Sequence, residues 1–442
     1  MIQKMKGTYD ILPSDIGKWQ AMEKAIRSVS KLFNYNEIRT PIIEYTELFH
    51  RGVGEDTDIV SKETYDFIDR GDRSNTLRPE GTAGVVRSLI ENKLYADKLP
   101  VQKLYYIGPM FRYERQQKGR YRQFLQFGAE AFGSANPQLD AEIIAYAVTI
   151  LKALKISDVT IHINSLGDGA SKEAYRTALL DHLKPHIDTL CADCQTRYST
   201  NPLRILDCKV DAEHQALNEA PKPIDYLTKE DKQHFEEVLQ YLDAMDIDYI
   251  VDQNLVRGLD YYTHTVFEVK AHLETLGAQN TICGGGRYDH LVESLDGPDI
   301  PGVGFAFGLE RLMFALESIH FQGDKNYLHL FLMILGDEQK ADGMAMLQRC
   351  RVGGLTADID YLDRGMKNKW KQAANHNARF VAIYGEQERG QGTINIKDQD
   401  TGTEVSVPKQ QLYNHIVAEL MKPSHSCSSC SSEGCDDCEE EE

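Results

Sequence analysis

Apolar residues recur at intervals of three and four from Ile16 through Trp19, Met22, Ile26 and Val29 to Phe33. That spacing puts them on one face of a helix, which Ser14 is placed to cap and which runs to about Asn34. Ile38 to Tyr45 then reads as a strand interrupted by Pro41. A proline there points to an edge or an interface, because it has no N–H for a ladder. Lys103 to Met110 is an apolar run that ends on Phe111 and Arg112, and Phe124 to Glu130 alternates. On a strand, side chains two apart share a face. Phe124, Gln126, Gly128 and Glu130 therefore look one way and Leu125, Phe127 and Ala129 the other. Between these runs Arg115, Lys118, Arg120 and Arg122 stand against a single acid, Glu114. The pattern predicts strand, cationic loop, strand. It suits a polyphosphate beside a small polar molecule, or an ordinary hairpin with a solvated charged tip.

The flanking stretches repeat the mixture of turn residues and polar groups. TLRPEGTAGVV (76–86) carries Arg78, Glu80 and Thr82 on a turn made by Pro79 and Gly81, ahead of a helix from Ala83 to Asn92. A carboxylate and a hydroxyl two residues apart suit an ammonium group, or simply cap that helix. LVRGLDYYTHTVFEV (255–269) gathers Arg257, Asp260, Tyr261 and Tyr262 around Gly258, as a polar pocket wall would. ICGGGRYD (282–289) is a triple-glycine turn with Arg287 and Asp289, and GVGFAFGLERLMFAL (302–316) is a glycine-spaced strand running into a helix. Arg311, in the first turns of that helix, suits an anion at a helix start. Ala141 to Leu154 is helical, Val159 to Asn164 a strand, and residues 172–242 a polar, mostly helical insertion. After the linker at His320 to Asn326, strands and helices alternate from Leu328 to about residue 421. This predicts a separate α/β domain on a mostly parallel sheet. Its helix Gly365 to Asn375 presents Lys367, Lys369 and Lys371, a nucleic-acid face or a solvated one.

Composition narrows the class. With 41% hydrophobic and 26% charged residues and no long apolar run, the chain reads as globular, without a membrane span or signal peptide. A cytoplasmic location is expected. A net charge of −19 argues against a surface that binds nucleic acid everywhere, but leaves room for a local basic track. Of that charge −6 belongs to the low-complexity tail from Lys422, which also holds Cys427, Cys430, Cys435 and Cys438. Two C-x2-C pairs so close together suggest weak metal capture and no fold of their own. Cys191, Cys194 and Cys208 form another group, either plain thiols or three ligands of a zinc site; three cysteines are only a partial signal, since a structural site normally shows four ligands in paired spacing, and a fourth would have to come from His182, His186 or His214.

Taken together, these stretches resemble class II aminoacyl-tRNA synthetases. The helix and strand ending at Pro41, the hairpin Phe111 to Glu130, and Gly302 to Leu316 look like the three signature motifs of that class. LVRGLDYYTHTVFE, ICGGGRYD, TLRPEGTA and FRYERQQKGRYRQF are similar to the peptides of its histidyl-tRNA synthetase family, in the family's order over about residues 1–421. His290 and the acidic tail depart from the pattern. The resemblance implies an antiparallel-sheet catalytic domain at 1–325 with the helical insertion, an α/β anticodon-binding domain at 326–421 and a disordered tail at 422–442. It implies a homodimer and ATP-dependent ligation of L-histidine to the 3′ end of histidine tRNA through a histidyl-adenylate. Arg112, Arg120 and Arg311 would meet the phosphates of ATP, with Mg2+. Glu80, Gly81, Thr82 and Gln126 would hold the α-amino group, Glu130 and Tyr262 the imidazole, and Tyr261 would line the pocket. Gly284 to Arg287 would form the floor. Arg257 would lie between the histidine carboxylate and the α-phosphate, and with Arg112 and Arg311 would carry catalysis. The rival readings are an inactive histidine-binding regulatory paralogue, which typically lacks the catalytic arginines and the anticodon-reading domain, and a sensor domain, which would be fused to a kinase.

Overall fold

The computed structural model describes every residue except 55–56, 116–118, 207, 209, 273–279, 324–326 and 423–442; Lys118 and the four tail cysteines lie outside the described residues. The chain divides into two compact units, residues 1–324 and 325–442.

The first unit contains strands β1 (Asn36–Glu37), β2 (Ile43–Tyr45), β3 (Tyr65–Ile68), β4 (Ser74–Leu77), β5 (Gln102–Phe111), β6 (Gln123–Phe132), β7 (Val159–Ser165), β8 (Ile250–Val251), β9 (Thr263–Ala271), β10 (Thr281–Arg287) and β11 (Gly302–Gly308). Eight of them form one sheet in the order β1-β5-β6-β11-β10-β9-β7-β8. The six inner strands are antiparallel, and β1 and β8 pair parallel at the edges. A small sheet, β2-β4-β3, stands beside it. Pro41 is not inside a strand: the expected single strand is two short ones, β1 and β2, with the proline between them.

One face of the large sheet is covered by helices; the other carries a second apolar cluster, with Leu104, Tyr106, Phe132 and Val266, and beside it stays open as a cleft. Phe127, Ala129 and Ala131 of β6 and Phe305 and Phe307 of β11 point into the core. Helix Ile16–Leu32 buries Trp19, Met22, Ile26 and Val29, and helix Pro137–Ala153 buries Ile143, Ile144, Tyr146 and Ile150 in the same cluster. The Phe127 and Phe305 rings meet edge to face at 5.7 Å, and Tyr146 Oη donates to Ser30 Oγ at 2.5 Å. Ser14 does not cap the first helix; its hydroxyl donates to Asp15 instead.

Arg287 corrects an expectation. It is fully buried and turned away from the open face, where its guanidinium pairs with Asp140 and donates to Asp289 and to the carbonyl of Ser134, both at 3.0 Å. Burial alone would raise the Asp140 carboxyl, but Arg287 and His234 outweigh it and hold it down at about 2. Because that value is depressed, the pair's stabilisation is full above the unfolded pKa of about 3.9 and lost as pH falls toward 2. Asp140→Asn removes the main carboxylate partner of the buried guanidinium and leaves it Asp289 alone, with an expected loss of about 2–3 kcal/mol. Urea unfolding at neutral pH measures it.

The insertion comprises helices Ala170–Leu183, Ala192–Thr200, Gln215–Asn218 and Lys229–Ala244 with short 3-10 turns between. Its cysteines converge, but the side chain that joins them is Asp211, not a histidine. His182 Nε2 lies 2.8 Å from the Ala216 carbonyl, and His214 accepts from the Ala216 N–H and lies 3.1 Å from Thr189 Oγ1.

The second unit is a five-stranded sheet of β12 (Leu330–Ile334), β13 (Ala357–Ile359), β14 (Phe380–Tyr384), β15 (Thr393–Asp398) and β16 (Glu404–Pro408) in the order β13-β12-β14-β15-β16. The first three pair parallel, and the last two form an antiparallel hairpin. On helix Met366–Asn375, Lys367 and Lys371 are exposed, but Lys369 is buried and holds Asp360 at 3.1 Å. That lysine belongs to the packing of the unit and not to a nucleic-acid face.

Candidate active site

The open face of the large sheet is a cleft of about 470 Å3. Glu80, Thr82, Gln126, Glu130, Tyr261 and Tyr262 line it, together with Arg112, Arg120, Arg257 and Arg311. Gly81 sits just behind them as the residue preceding helix Thr82–Glu91. Arg122 turns away and stacks on Tyr113 at 4.0 Å, and Arg115 is exposed.

Alternation along β6 explains one wall. Phe127 and Ala129 go to the core, so Gln126 and Glu130 must face the cleft. Glu130 is buried between two hydroxyls: Thr82 Oγ1 donates to its Oε1 at 2.7 Å and Tyr288 Oη to its Oε2. Burial pushes its carboxyl up to about 8; the two hydroxyls oppose the rise and the Glu80 carboxyl adds to it. Glu80 is buried too and accepts from the N–H groups of Thr82 and Ala83 at 2.6 and 2.8 Å. It caps the helix and at the same time presents a carboxyl to the cleft, and burial raises it against those amides.

The other end of the cleft is cationic. Arg112 Nε donates to the Pro79 carbonyl at 2.8 Å, and its guanidinium lies 5.4 Å from the Phe124 ring centre. Arg120 donates to Glu114 at 2.9 Å. Arg311 donates to the Thr281 carbonyl at 2.8 Å. Its pKa is lowered, first by burial and then by the charge of Arg120, with Arg112 acting in the same direction. Three guanidinium groups that repel one another across a cleft favour a polyanion between them.

Arg257 stands between the two ends. It pairs with Glu268, and its buried Nε has no hydrogen-bond partner among the described residues. Burial pulls its pKa down, but the Glu268 carboxylate together with the Tyr262 and Tyr261 hydroxyls outweighs burial and raises it, so the charge is permanent.

The floor is backbone. On the central pair β10 and β11, Gly286 lies opposite Gly304 and Gly285 opposite Phe305. A Cβ on Gly304 would meet the Glu130 carboxyl, and one on Gly284 would meet the Arg257 guanidinium at 2.5–2.7 Å. Gly81 and Gly128 make room for the Tyr106 ring in the same way. Gly304→Ala is therefore expected to displace the Glu130 carboxyl from its two hydroxyl partners and to cost about 1–3 kcal/mol of stability. Urea unfolding of the variant measures this.

Sequence reasoning missed Tyr106, Tyr288 and Glu268. Tyr106 donates to Gln126 Oε1 at 3.2 Å, and strand register was the signal for it: it lies opposite Gly128, on the face of Gln126 and Glu130. Tyr288 lay inside a quoted motif without a role. Glu268 had no local signal.

Comparison with known proteins agrees with this geometry. Residues 7–312 match the family model described as histidyl-tRNA synthetase, and residues 329–419 match one described as anticodon binding domain. A histidine–tRNA ligase of Bacillus cytotoxicus is 49% identical over 421 residues, covering 95% of this chain and 100% of that protein. One from Bacillus subtilis is 50% identical over 419 residues, covering 94% and 98%. The crystal structure of apo S. aureus histidyl-tRNA synthetase superimposes with a TM-score of 0.81 at 42% identity, over 94% of this chain and 100% of that one. A family model that matches most of the chain and near-full-length identity of this size have one meaning: the chain belongs to the histidyl-tRNA synthetase family.

Proposed function

We propose that this chain ligates L-histidine to the 3′ end of histidine tRNA in two steps within the one cleft. In the first, a histidine carboxylate oxygen attacks the α-phosphorus of ATP, a P–O bond to the β-phosphate breaks, and histidyl-adenylate and pyrophosphate result. In the second, a terminal ribose hydroxyl of the tRNA attacks the carbonyl, loses its proton, and AMP leaves. The observation that carries this reading is a buried carboxyl with hydroxyl partners at one end of a cleft whose other end holds Arg112, Arg120 and Arg311.

The first step builds charge on phosphate oxygens, so positioning and fixed cations supply most of the acceleration and no nucleophilic side chain is needed. ATP enters as its magnesium complex. Arg112, Arg120 and Arg311 take its phosphates, and binding relieves their mutual repulsion. Glu80, Thr82 and Gln126 accept from the α-ammonium, with Gly81 giving the turn its close approach. Glu130 and Tyr262 bond the imidazole, Tyr261 walls the pocket, and Arg257 bridges the carboxylate and the α-phosphate.

The second unit takes the anticodon stem, and its exposed Lys367 and Lys371 suit the phosphates there. Ile42, Ile43, Phe67 and Ile68 leave an apolar surface on and beside the small sheet. A homodimer through that surface accounts for it, and sedimentation of the purified chain tests it. Among the described residues no helix is long and apolar enough to cross a membrane, which fits action in the cytoplasm. Histidine-dependent exchange of pyrophosphate into ATP, followed by charging of histidine tRNA, tests the activity. A chain that binds histidine but exchanges no pyrophosphate would be a regulatory paralogue.

A further inference from the structure

The insertion holds a second cluster of reactive groups that the cleft does not use. Cys191, Cys194, Cys208 and Asp211 each present one ligand atom, and all four atoms lie within 4.8 Å of one another. Local structure brings them together. Cys191 is the residue that starts helix Ala192–Thr200, and Cys194 lies in its first turn. The 3-10 turn Pro202–Ile205 brings the chain back, and the Cys208 N–H donates to the Ile205 carbonyl at 3.0 Å. Asp211 follows three residues later and returns its own N–H to Cys208 Sγ at 3.5 Å.

We propose that Cys191, Cys194, Cys208 and Asp211 bind one Zn2+ as a closed structural site. The spacing fits that ion. Zinc–sulfur bonds of about 2.3 Å in a tetrahedron set two sulfurs about 3.8 Å apart, and a carboxylate oxygen about 3.5 Å from each sulfur. Cys191 Sγ is 3.7 Å from Cys208 Sγ, and Cys208 Sγ is 3.6 Å from Asp211 Oδ2. A disulfide would need about 2.0 Å. Three thiolates select zinc over calcium or magnesium. Each thiol gives its proton to solvent as the ion binds. Cys194 and Cys208 are buried, as structural ligands are. The Cys191 N–H holds both Asp211 oxygens, at 3.2 and 3.0 Å, and so orients the fourth ligand.

The site ties down both ends of segment 191–211, and the middle of that segment braces the cleft from behind. Arg197 and Arg204 both donate to Asp58 at 3.0 Å. Asn201 Nδ2 donates to Asp260 Oδ1 at 2.5 Å, next to Tyr261 and Tyr262. Zinc is thus a positioning element for the histidine end of the pocket. This consequence rests on the proposed function; the metal site does not.

The test uses the full-length chain with Cys427→Ser, Cys430→Ser, Cys435→Ser and Cys438→Ser, which removes the tail's own thiols. Elemental analysis is expected to find one zinc per chain there, and none after Cys191→Ser and Cys208→Ser are added. Cobalt(II) in place of zinc is expected to give the ligand-field spectrum of a tetrahedral thiolate site. Chelation should lower the first melting transition by roughly 5 °C and raise the histidine KM about ten-fold with kcat little changed, both restored by zinc. If the serine variants do not fold, Asp211→Asn keeps the three thiolates and is expected to weaken cobalt affinity and shift its spectrum. Absence of metal after zinc dialysis, a Cys191–Cys208 disulfide in the native chain, zinc content unchanged by the serine variants, or a cobalt site indifferent to Asp211→Asn would each overturn the proposal.

Discussion

Arg257→Ala is expected to slow histidyl-adenylate formation by about 10²–10³-fold, the scale of losing one group that stabilises developing charge. The residue has little to do as structure: its pair with Glu268 lies in the cleft, its buried Nε has no partner among the described residues, and Gly284 gives up a side chain to admit it. A planar fork with permanent charge can hold two anions at once. In the role proposed above, between attacking carboxylate and α-phosphate, it would lower their repulsion, and its hold would strengthen as they close. Transfer from preformed histidyl-adenylate to tRNA should be affected far less, since carboxylate and phosphate are already joined. Arg257→Lys should restore only part of the rate, because a point charge does not span both groups. Single-turnover measurement of each half-reaction, at saturating histidine and ATP, decides the matter. An adenylation rate within a few-fold of the parent chain would make Arg257 a structural residue.

The second large effect is carried by Glu130. Burial pushes its carboxyl up to about 8, so at neutral pH it keeps a proton. Neutral imidazole added to the protonated acid gives a pair with no net charge, the arrangement a buried site tolerates best. Above about 8 that proton is gone and the pair is anionic; below about 6.5 free histidine carries its own proton and the pair is cationic. The expected result is a bell in kcat/KM for histidine between those limits, with no alkaline limb near 8 when ATP is varied at saturating histidine. The raised value has a second consequence. The stability Glu130 contributes is full below the unfolded pKa of about 4.3 and fades as pH rises through about 8, so the empty chain should weaken toward alkali. Glu130→Ala should abolish the alkaline limb and, by removing both the donor and the acceptor of the protonated acid, cost histidine binding about 2–4 kcal/mol, or roughly 30- to 1000-fold in Kd. Equal weakening of ATP and histidine would remove Glu130 from the imidazole site.

What could be read from the chain alone followed the range of the interactions. The helix at Ile16–Leu32 and the two arms of the β5–β6 hairpin were legible because their periodicity is local. So was the face of Gln126 and Glu130, since alternation needs only one strand. The pairing of β6 with β11 joins segments more than a hundred residues apart, Phe132 lying opposite Gly302, and no local pattern encodes it. Two-residue strands such as β1 carry no period at all. Arg287 and Lys369 misled for one reason: a charged residue in a glycine-rich turn or on a lysine-bearing helix looks like a site, and only burial against Asp140 or Asp360 reveals a structural pair. Asp211 escaped because cysteine spacing suggests histidine partners, whereas the turn after Cys208 brings a carboxylate instead.

The glycine floor has a bearing on how this pocket can change over evolutionary time. A floor of peptide groups has no side chain to exchange, so mutation can only fill it, and filling Gly284 or Gly304 strikes Arg257 or Glu130 directly. Heritable change in amino-acid choice is thereby channelled into the walls, at residues such as Gln126, Tyr261 and Tyr288. The same backbone that lets the substrate lie close also makes the base of the pocket the part least free to drift.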